Sequence, residues 1–215
     1  KPDANPEGWR FLTDPVAAVE GAGFVQESAP ERYEVKQQLL PAIAAVLGPD
    51  VVIASSSSGL LASRLAEGCA HPERVLIGHP FNPPHLVPLV EVVGPHCSRA
   101  AIEAAMAFYR GIGKYPIEIR KEVPGHLANR LQAALWREAV HLVADGVASV
   151  ADVDAAISEG PGLRWALMGP HTMFHMAAVE GAMDAFMHHP MPAVTSWWAD
   201  LGAPAVTPEL QAKLV

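Results

Sequence analysis

The sequence predicts an α/β layer followed by an all-helical domain. Up to about Lys121, short β-type apolar runs alternate with helical stretches; beyond it, helical periodicity dominates. The composition is that of a globular chain, with 50% apolar and 18% charged residues among 215. At ~100–200 residues per domain this length gives one or two domains, and the change of regime divides them as 1–121 and 122–215.

The elements follow in order. Gly23 to Glu27 reads as a strand. Ser28-Ala29-Pro30-Glu31 has the form of a capping box, with Pro30 suited to a first helical turn. The helix it opens should run through Leu39, Leu40, Ile43 and Leu47 and stop at Gly48. Val51 to Ala54 is a short buried-type strand that ends in Ser55-Ser56-Ser57-Ser58-Gly59 and a short helix. Arg74 to His79 is the next strand, followed by Pro80-Phe81-Asn82-Pro83-Pro84. Leu89 to Val93 is a strand, Arg99 to Gly111 a helix and Tyr115 to Arg120 a last strand. This alternation predicts a parallel sheet with covering helices. Pro124-Gly125 opens a long helix with Leu127, Leu131, Leu135 and Leu142 at helical spacing. A further helix starts at Ser149 to Asp152, Gly160-Pro161-Gly162 breaks the chain, and helices cover His171 to Phe186 and Pro208 to Val215.

Composition excludes several classes. The 17 glycines and 20 prolines stay below the ~25–30% that marks a disordered chain. The longest apolar run, Leu39 to Leu47, is far short of the ~20 residues of a membrane span. A net charge of −8 leaves no basic stripe for phosphates, so nucleic acid is not expected as a partner. Cys69 and Cys97 make no disulfide scaffold, and without a signal-peptide pattern the default is a reducing cytoplasm. The chain opens on Lys1 in a polar stretch, as expected for part of a longer polypeptide.

In open α/β sheets ligands sit outside the carboxyl ends of the strands. The serine run and His79 both fall there. Glu91 lies in the apolar strand Leu89-Val90-Glu91-Val92-Val93, where a carboxylate is costly unless paired. The Pro-rich turn after His79 should reverse the chain; with the two segments side by side, Glu91 accepts a hydrogen bond from one ring nitrogen of His79, and the other nitrogen is a general base. The alternative is a structural pair closing the turn. The serines form either an N-cap with a solvated loop or the lining of a ligand crevice; no Gly-x-Ser-x-Gly nucleophile elbow is present. Asn129, early in the long helix, is either exposed or functional. His171 and His175, four apart, and the adjacent His188 and His189 have no acidic or cysteine cluster beside them, so no metal is expected. Trp165, Trp197, Trp198 and Phe174 are core or interface residues, or could hold a quaternary ammonium by cation–π attraction.

Gly78-His79-Pro80-Phe81-Asn82-Pro83 with Pro88-Leu89-Val90-Glu91-Val92, then Glu122-Val123-Pro124-Gly125-His126-Leu127-Ala128-Asn129-Arg130-Leu131, Asp152-Val153-Asp154-Ala155-Ala156 and Met168-Gly169-Pro170, resemble the 3-hydroxyacyl-CoA dehydrogenase family. The resemblance covers about Gly23 to Pro170. It implies a partial Rossmann-type, NAD-binding sheet followed by a helical substrate and dimerisation domain. It further implies NAD as cofactor, a homodimer, and oxidation of a 3-hydroxy acid or 3-hydroxyacyl-CoA to the 3-keto form, as in fatty acid metabolism. By position it implies His79 as catalytic base, Glu91 as its carboxylate partner, and Ser58 and Asn129 beside the substrate oxygen. It places Ser28, Glu31, Lys36, Ser56 and Asn82 at the nicotinamide half of NAD.

The family's first strand and its Gly-x-Gly-x-x-Gly turn do not occur in this chain and are expected in the parent polypeptide. Pro80 stands where acyl-CoA enzymes usually have Phe, and Gly162 to Pro170 is longer than the usual segment. With Gln26 to Glu31 and Leu135 to Ala139, these features are similar to the L-carnitine dehydrogenase and lambda-crystallin branch, whose substrates lack CoA. There Arg164 would pair with a carboxylate and Trp165 would face a trimethylammonium group. The competing expectation is a catalytically silent, crystallin-like or dimerising homologue.

Overall fold

Strand and helix lengths follow from what each segment can bury. A computed structural model describes residues 8–177, 182–188 and 190–214. It divides into two compact units, Lys1–Arg130 and Leu131–Val215. The first contains α1 (Pro15–Ala18), β1 (Phe24–Glu27), α2 (Tyr33–Ala44), β2 (Val52–Ser55), α3 (Ala62–Leu65), β3 (Val75–Pro80), β4 (Leu89–Val93), α4 (Arg99–Gly111) and β5 (Tyr115–Ile119), and the first residues of α5 (Ala128–Ala144).

The five strands lie in the order β1-β2-β3-β4-β5. Alternation along β2 sends Ile53 to one face and Val52 and Ala54 to the other. Ile53 joins Val25, Leu40, Ile43, Leu65 and Ile77 under α2 and α3. Val52 and Ala54 join Leu76, Val90, Ile102, Ala105 and Tyr109 under α4. Burial on both faces explains why β2 and the first part of β3 are almost wholly apolar.

The expected α/β class is present, and the chain reversal expected after His79 makes one exception to the parallel sheet. β1, β2 and β3 are parallel and β5 is parallel to β4, but β4 runs antiparallel to β3. The connection 81–88 is too short for the crossover that a parallel pair requires. Antiparallel register sets His79 opposite Glu91.

The Ser28–Glu31 capping box does not form. The α2 helix starts at Tyr33, and its N-cap, Arg32, makes no side-chain cap bond. Ser28 and Glu31 bond to the serine loop instead. The same helix ends at Ala44, not Gly48. The buried Arg74 guanidinium takes the Ala44 carbonyl (2.7 Å), which a helix continued to Gly48 would have used, and also those of Val51 (3.0 Å), Leu47 and Gly48 beyond it.

The second unit holds the rest of α5, α6 (Val150–Ser158), α7 (Gly162–Trp165), α8 (Pro170–Ala177), α9 (Ala182–His188), α10 (Met191–Asp200) and α11 (Pro208–Leu214). Ser149 and Asp152 form a reciprocal capping box on α6. Of the expected helix over His171 to Phe186, the described residues lie in α8 and α9, while residues 178–181, His189 and Val215 lie outside the described residues. The α1, α7 and α10 helices have no counterpart in the sequence reading, and α7 starts at Gly162, where a break was expected. Val140, Val143, Met173, Phe186 and Leu210 are buried here. The chain returns along α5, where Gly202 donates to Glu138 (2.8 Å) and Lys213 to the Ala144 carbonyl (3.1 Å). A Cβ on Gly202 would lie 1.9 Å from the His141 ring, so only glycine fits. No helix among the described residues is long and apolar enough to cross a membrane.

Candidate active site

The β3–β4 hairpin builds the first part of the site. His79 Nδ1 lies 2.8 Å from Glu91 Oε2, and both residues are buried. A carboxylate only accepts, so Nδ1 carries the proton and donates it. Nε2 is thereby left as the basic nitrogen, with no hydrogen-bond partner among the described residues. Glu91 Oε1 accepts the Leu127 and Ala128 amides at 2.9 and 2.8 Å, where α5 begins. Burial pushes the Glu91 carboxyl up. The His79 hydrogen bond, the two amides and the attraction of the imidazole outweigh that and hold it below the usual carboxylate range.

The loop after β2 builds the second part. Glu31 Oε1 accepts from Ser57 Oγ (2.5 Å), Ser58 N (2.9 Å) and Gly59 N (3.0 Å). Partial burial raises the Glu31 carboxyl, but the Ser57 hydroxyl, the Gly59 amide, the Lys36 charge and the Ser58 amide lower it below its ordinary value overall. Ser58 is exposed, and its carbonyl accepts from Asn129 Nδ2 at 3.3 Å. Ser28 Oγ and Ser56 Oγ are 2.6 Å apart at the carboxyl ends of β1 and β2. Asn82 is exposed in the turn after β3.

Lys36 is fully buried. Its Nζ bonds to both Glu27 oxygens (2.8 and 2.9 Å) and to the Ala29 carbonyl (3.0 Å). Ser55 Oγ donates to Glu27 Oε2 at 2.5 Å. Lys36 is therefore sequestered from solvent and acts on the strand ends through Glu27, the Ala29 carbonyl and Glu31, whose Oε2 lies 4.0 Å from its Nζ. Arg164 and Trp165 lie on α7 in the second unit, both exposed. Among the described residues no group of three or more His, Cys, Asp or Glu could hold a metal.

Two residues near the site escaped the sequence reading. Glu27 is one; a carboxylate closing an apolar strand was its only signal. His126 is the other. It is 1% exposed, its Nε2 lies 2.9 Å from the Ser57 carbonyl, and its ring centroid is 5.3 Å from that of His79. Its φ is 52°, left-handed for a non-glycine, directly after Gly125 at 75°. That conformation costs about 1–2 kcal/mol, though histidine adopts it more readily than most residues.

The chemistry available is proton transfer at a buried imidazole near the carboxyl end of β3, with the exposed Ser58 in the loop after β2 and the Asn129 amide bonded to that loop. Residues 3–123 match the 3-hydroxyacyl-CoA dehydrogenase NAD-binding domain, and residues 125–203 match the C-terminal domain of the same family. The chain is 51% identical to an L-carnitine dehydrogenase of Streptomyces coelicolor over 194 residues, 90% of this chain and 61% of that protein. It is 47% identical to one of Pseudomonas aeruginosa over all of this chain and 67% of that protein. Thus it spans about 60–67% of the length of these curated relatives. Among solved structures, an NAD+-dependent dismutase, 5-formyl-3-hydroxy-2-methylpyridine-4-carboxylic acid 5-dehydrogenase, superposes with a TM-score of 0.82 at 34% identity. The match covers 93% of this chain and 62% of that one. The 3-hydroxybutyryl-CoA dehydrogenase of Escherichia coli gives 0.67 at 28%, over 87% and 38%. With both units matched in order by models of one family, the chain belongs to the 3-hydroxyacyl-CoA dehydrogenase family.

Proposed function

We propose that this chain forms the catalytic part of an NAD-dependent dehydrogenase that oxidises the 3-hydroxyl of a CoA-free 3-hydroxy acid of the L-carnitine kind. The observation that carries the reading is the buried His79–Glu91 pair, with Nδ1 held and Nε2 unpartnered.

His79 Nε2 takes the hydroxyl proton. Glu91 holds the ring in the tautomer that leaves Nε2 bare and stabilises the imidazolium that forms. The Ser58 hydroxyl and Asn129 orient the substrate oxygen. General-base assistance of this kind is worth ~10²–10⁴-fold. The residues present fit NAD. Exposed hydroxyls of Ser28 and Ser56, the part-exposed Glu31 carboxylate, whose Oε2 lies 4.0 Å from Lys36 Nζ, and the exposed Asn82 offer polar contacts over the carboxyl ends of parallel strands. NAD, when bound, supplies the acceptor for the hydride of the substrate carbon. Lys36 serves the site by holding Glu27 and the Ser28–Ala29 turn. Arg164 and Trp165 are the substrate-binding residues, the guanidinium for a carboxylate and the indole for a quaternary ammonium.

The enzyme works as a homodimer in the cytoplasm. The two thiols are unpaired, as a reducing compartment keeps them, and the second unit exposes many large apolar side chains.

The test is NADH formation by the full chain with L-carnitine, L-gulonate and 3-hydroxybutyryl-CoA in parallel, with His79→Ala as control. Turnover of L-carnitine, lost in the variant, is expected. Alanine at Arg164 or Trp165 should raise KM for it, and an unchanged KM removes either residue from the substrate site. Turnover of the CoA ester alone would move the protein to fatty acid metabolism. Silence with all three, without NAD binding, would favour a crystallin-like structural protein.

A further inference from the structure

Four consecutive residues at the start of α5 touch both parts of the site. His126 Nε2 reaches the Ser57 carbonyl and Asn129 Nδ2 the Ser58 carbonyl, while the Leu127 and Ala128 amides reach Glu91. One turn of chain thus sets the serine loop against the strand that carries the base's partner. A carbonyl only accepts, so His126 Nε2 must carry a proton. His126 is therefore held in the tautomer opposite to that of His79, whose proton sits on Nδ1.

Its other nitrogen, Nδ1, is buried with no hydrogen-bond partner among the described residues. A buried acceptor left unpaired is unfavourable, and so is a side chain at φ 52°. An apolar residue would fill the space without the first cost, and glycine would avoid the second. What histidine adds at this position is a donor with the reach to bond Ser57.

We propose that His126 is a positioning residue for the reaction. Its Nε2–H fixes the Ser57 carbonyl, and through it places the Ser58 hydroxyl relative to His79 Nε2. This rests on the dehydrogenase reading above. Glu31 holds the same loop from its other side through Ser57 Oγ and the Ser58 and Gly59 amides. Loss of His126 should therefore shift the loop without unfolding it. Misplacement of about 1 Å is enough to cost ~10²-fold in rate.

Two variants separate the hydrogen bond from the backbone. The amide nitrogen of Gln stands as many bonds from Cβ as His Nε2 does, so His126→Gln keeps a donor within reach of Ser57. Asn accepts left-handed backbone well but is one bond shorter, so His126→Asn keeps the turn and loses the contact. In the full chain, H126N should lower kcat about 10- to 100-fold. KM for NAD and the melting temperature should stay near those of the parent, and H126Q should restore most of kcat. Long-range proton–nitrogen correlation spectra of histidine-labelled protein should show His126 protonated at Nε2 and His79 at Nδ1. Unchanged kcat in H126N, equal losses in H126N and H126Q, or His126 protonated at Nδ1 each overturn the proposal. Inactivity of the parent, or His79→Ala as active as the parent, instead overturns the dehydrogenase reading. An active parent, an inactive His79→Ala and a fully active H126N overturn the role of His126 alone.

Discussion

Glu91 divides its two oxygens between two tasks, with Oε2 orienting His79 and Oε1 receiving the first amides of α5. Glu91→Gln keeps the shape but turns a donor toward Nδ1–H. The ring must then adopt the other tautomer, with Nε2 protonated and no longer a base. A fall in kcat of about 10²- to 10⁴-fold is expected in steady-state assays. The same residue shapes acid stability. Its carboxyl lies below the ordinary range when folded, so the unfolded chain binds that proton at higher pH than the folded chain. The stabilisation is complete above the ordinary carboxylate pKa of ~4.3 and is lost as pH falls through the folded value. Denaturant titrations from about pH 6 to 3 should show that loss, with a shallower slope in Glu91→Gln. A carboxylate within a run of valines stands out in a sequence, and so Glu91 was legible. His126 was not, because its meaning lies in burial, a left-handed φ and a partner 69 residues away, none of which leaves a pattern in neighbouring residues.

At the scale of elements, strand positions were legible because apolar runs bounded by Gly, Pro and Ser have few other solutions in an α/β layer. Helix ends were less so. Ser28 and Glu31 satisfy a capping rule locally, but the serine loop competes for both side chains and wins, and α2 starts at Tyr33. Arg74 shows the same competition at the other end of that helix. Its guanidinium is buried against main-chain carbonyls with no carboxylate among its hydrogen-bond partners. Arg74→Met keeps much of the volume and leaves those carbonyls without their donor. A loss of about 2–4 kcal/mol in chemical denaturation is expected. A loss under about 0.5 kcal/mol, as at an ordinary surface site, would mean water replaces the guanidinium at no cost.

Across the whole molecule, the two units differ in how they bury apolar surface. The first encloses cores on both faces of its sheet. In the second, α6, α7 and α10 bury no residue, and Leu163, Leu167, Met176, Trp197 and Trp198 are all exposed. Exposed apolar surface of this kind is characteristic of association. Sedimentation equilibrium should give a dimer, and Leu167→Glu with Trp197→Glu a monomer; a monomeric parent would count against the association. That the chain divides was visible in its change of periodicity. The helices after α7 were harder to place, because their hydrophobic residues face outward as often as inward and blur the period that marks a buried face.

The hairpin that pairs His79 with Glu91 also bears on the order of folding. These two residues are 12 apart in the chain, whereas His126 and Ser57 are 69 apart. Closing the shorter loop loses less chain entropy, and the difference grows with the logarithm of loop length. The base and its partner should therefore meet as soon as β3 and β4 zip, while the contacts of the α5 turn wait for distant segments to converge. Pulse-labelled hydrogen exchange during refolding should protect the β3–β4 amides before those of Leu127 and Ala128; simultaneous protection would exclude that order. A nascent chain would then hold its proton acceptor early and acquire the geometry to use it only at the last step of assembly.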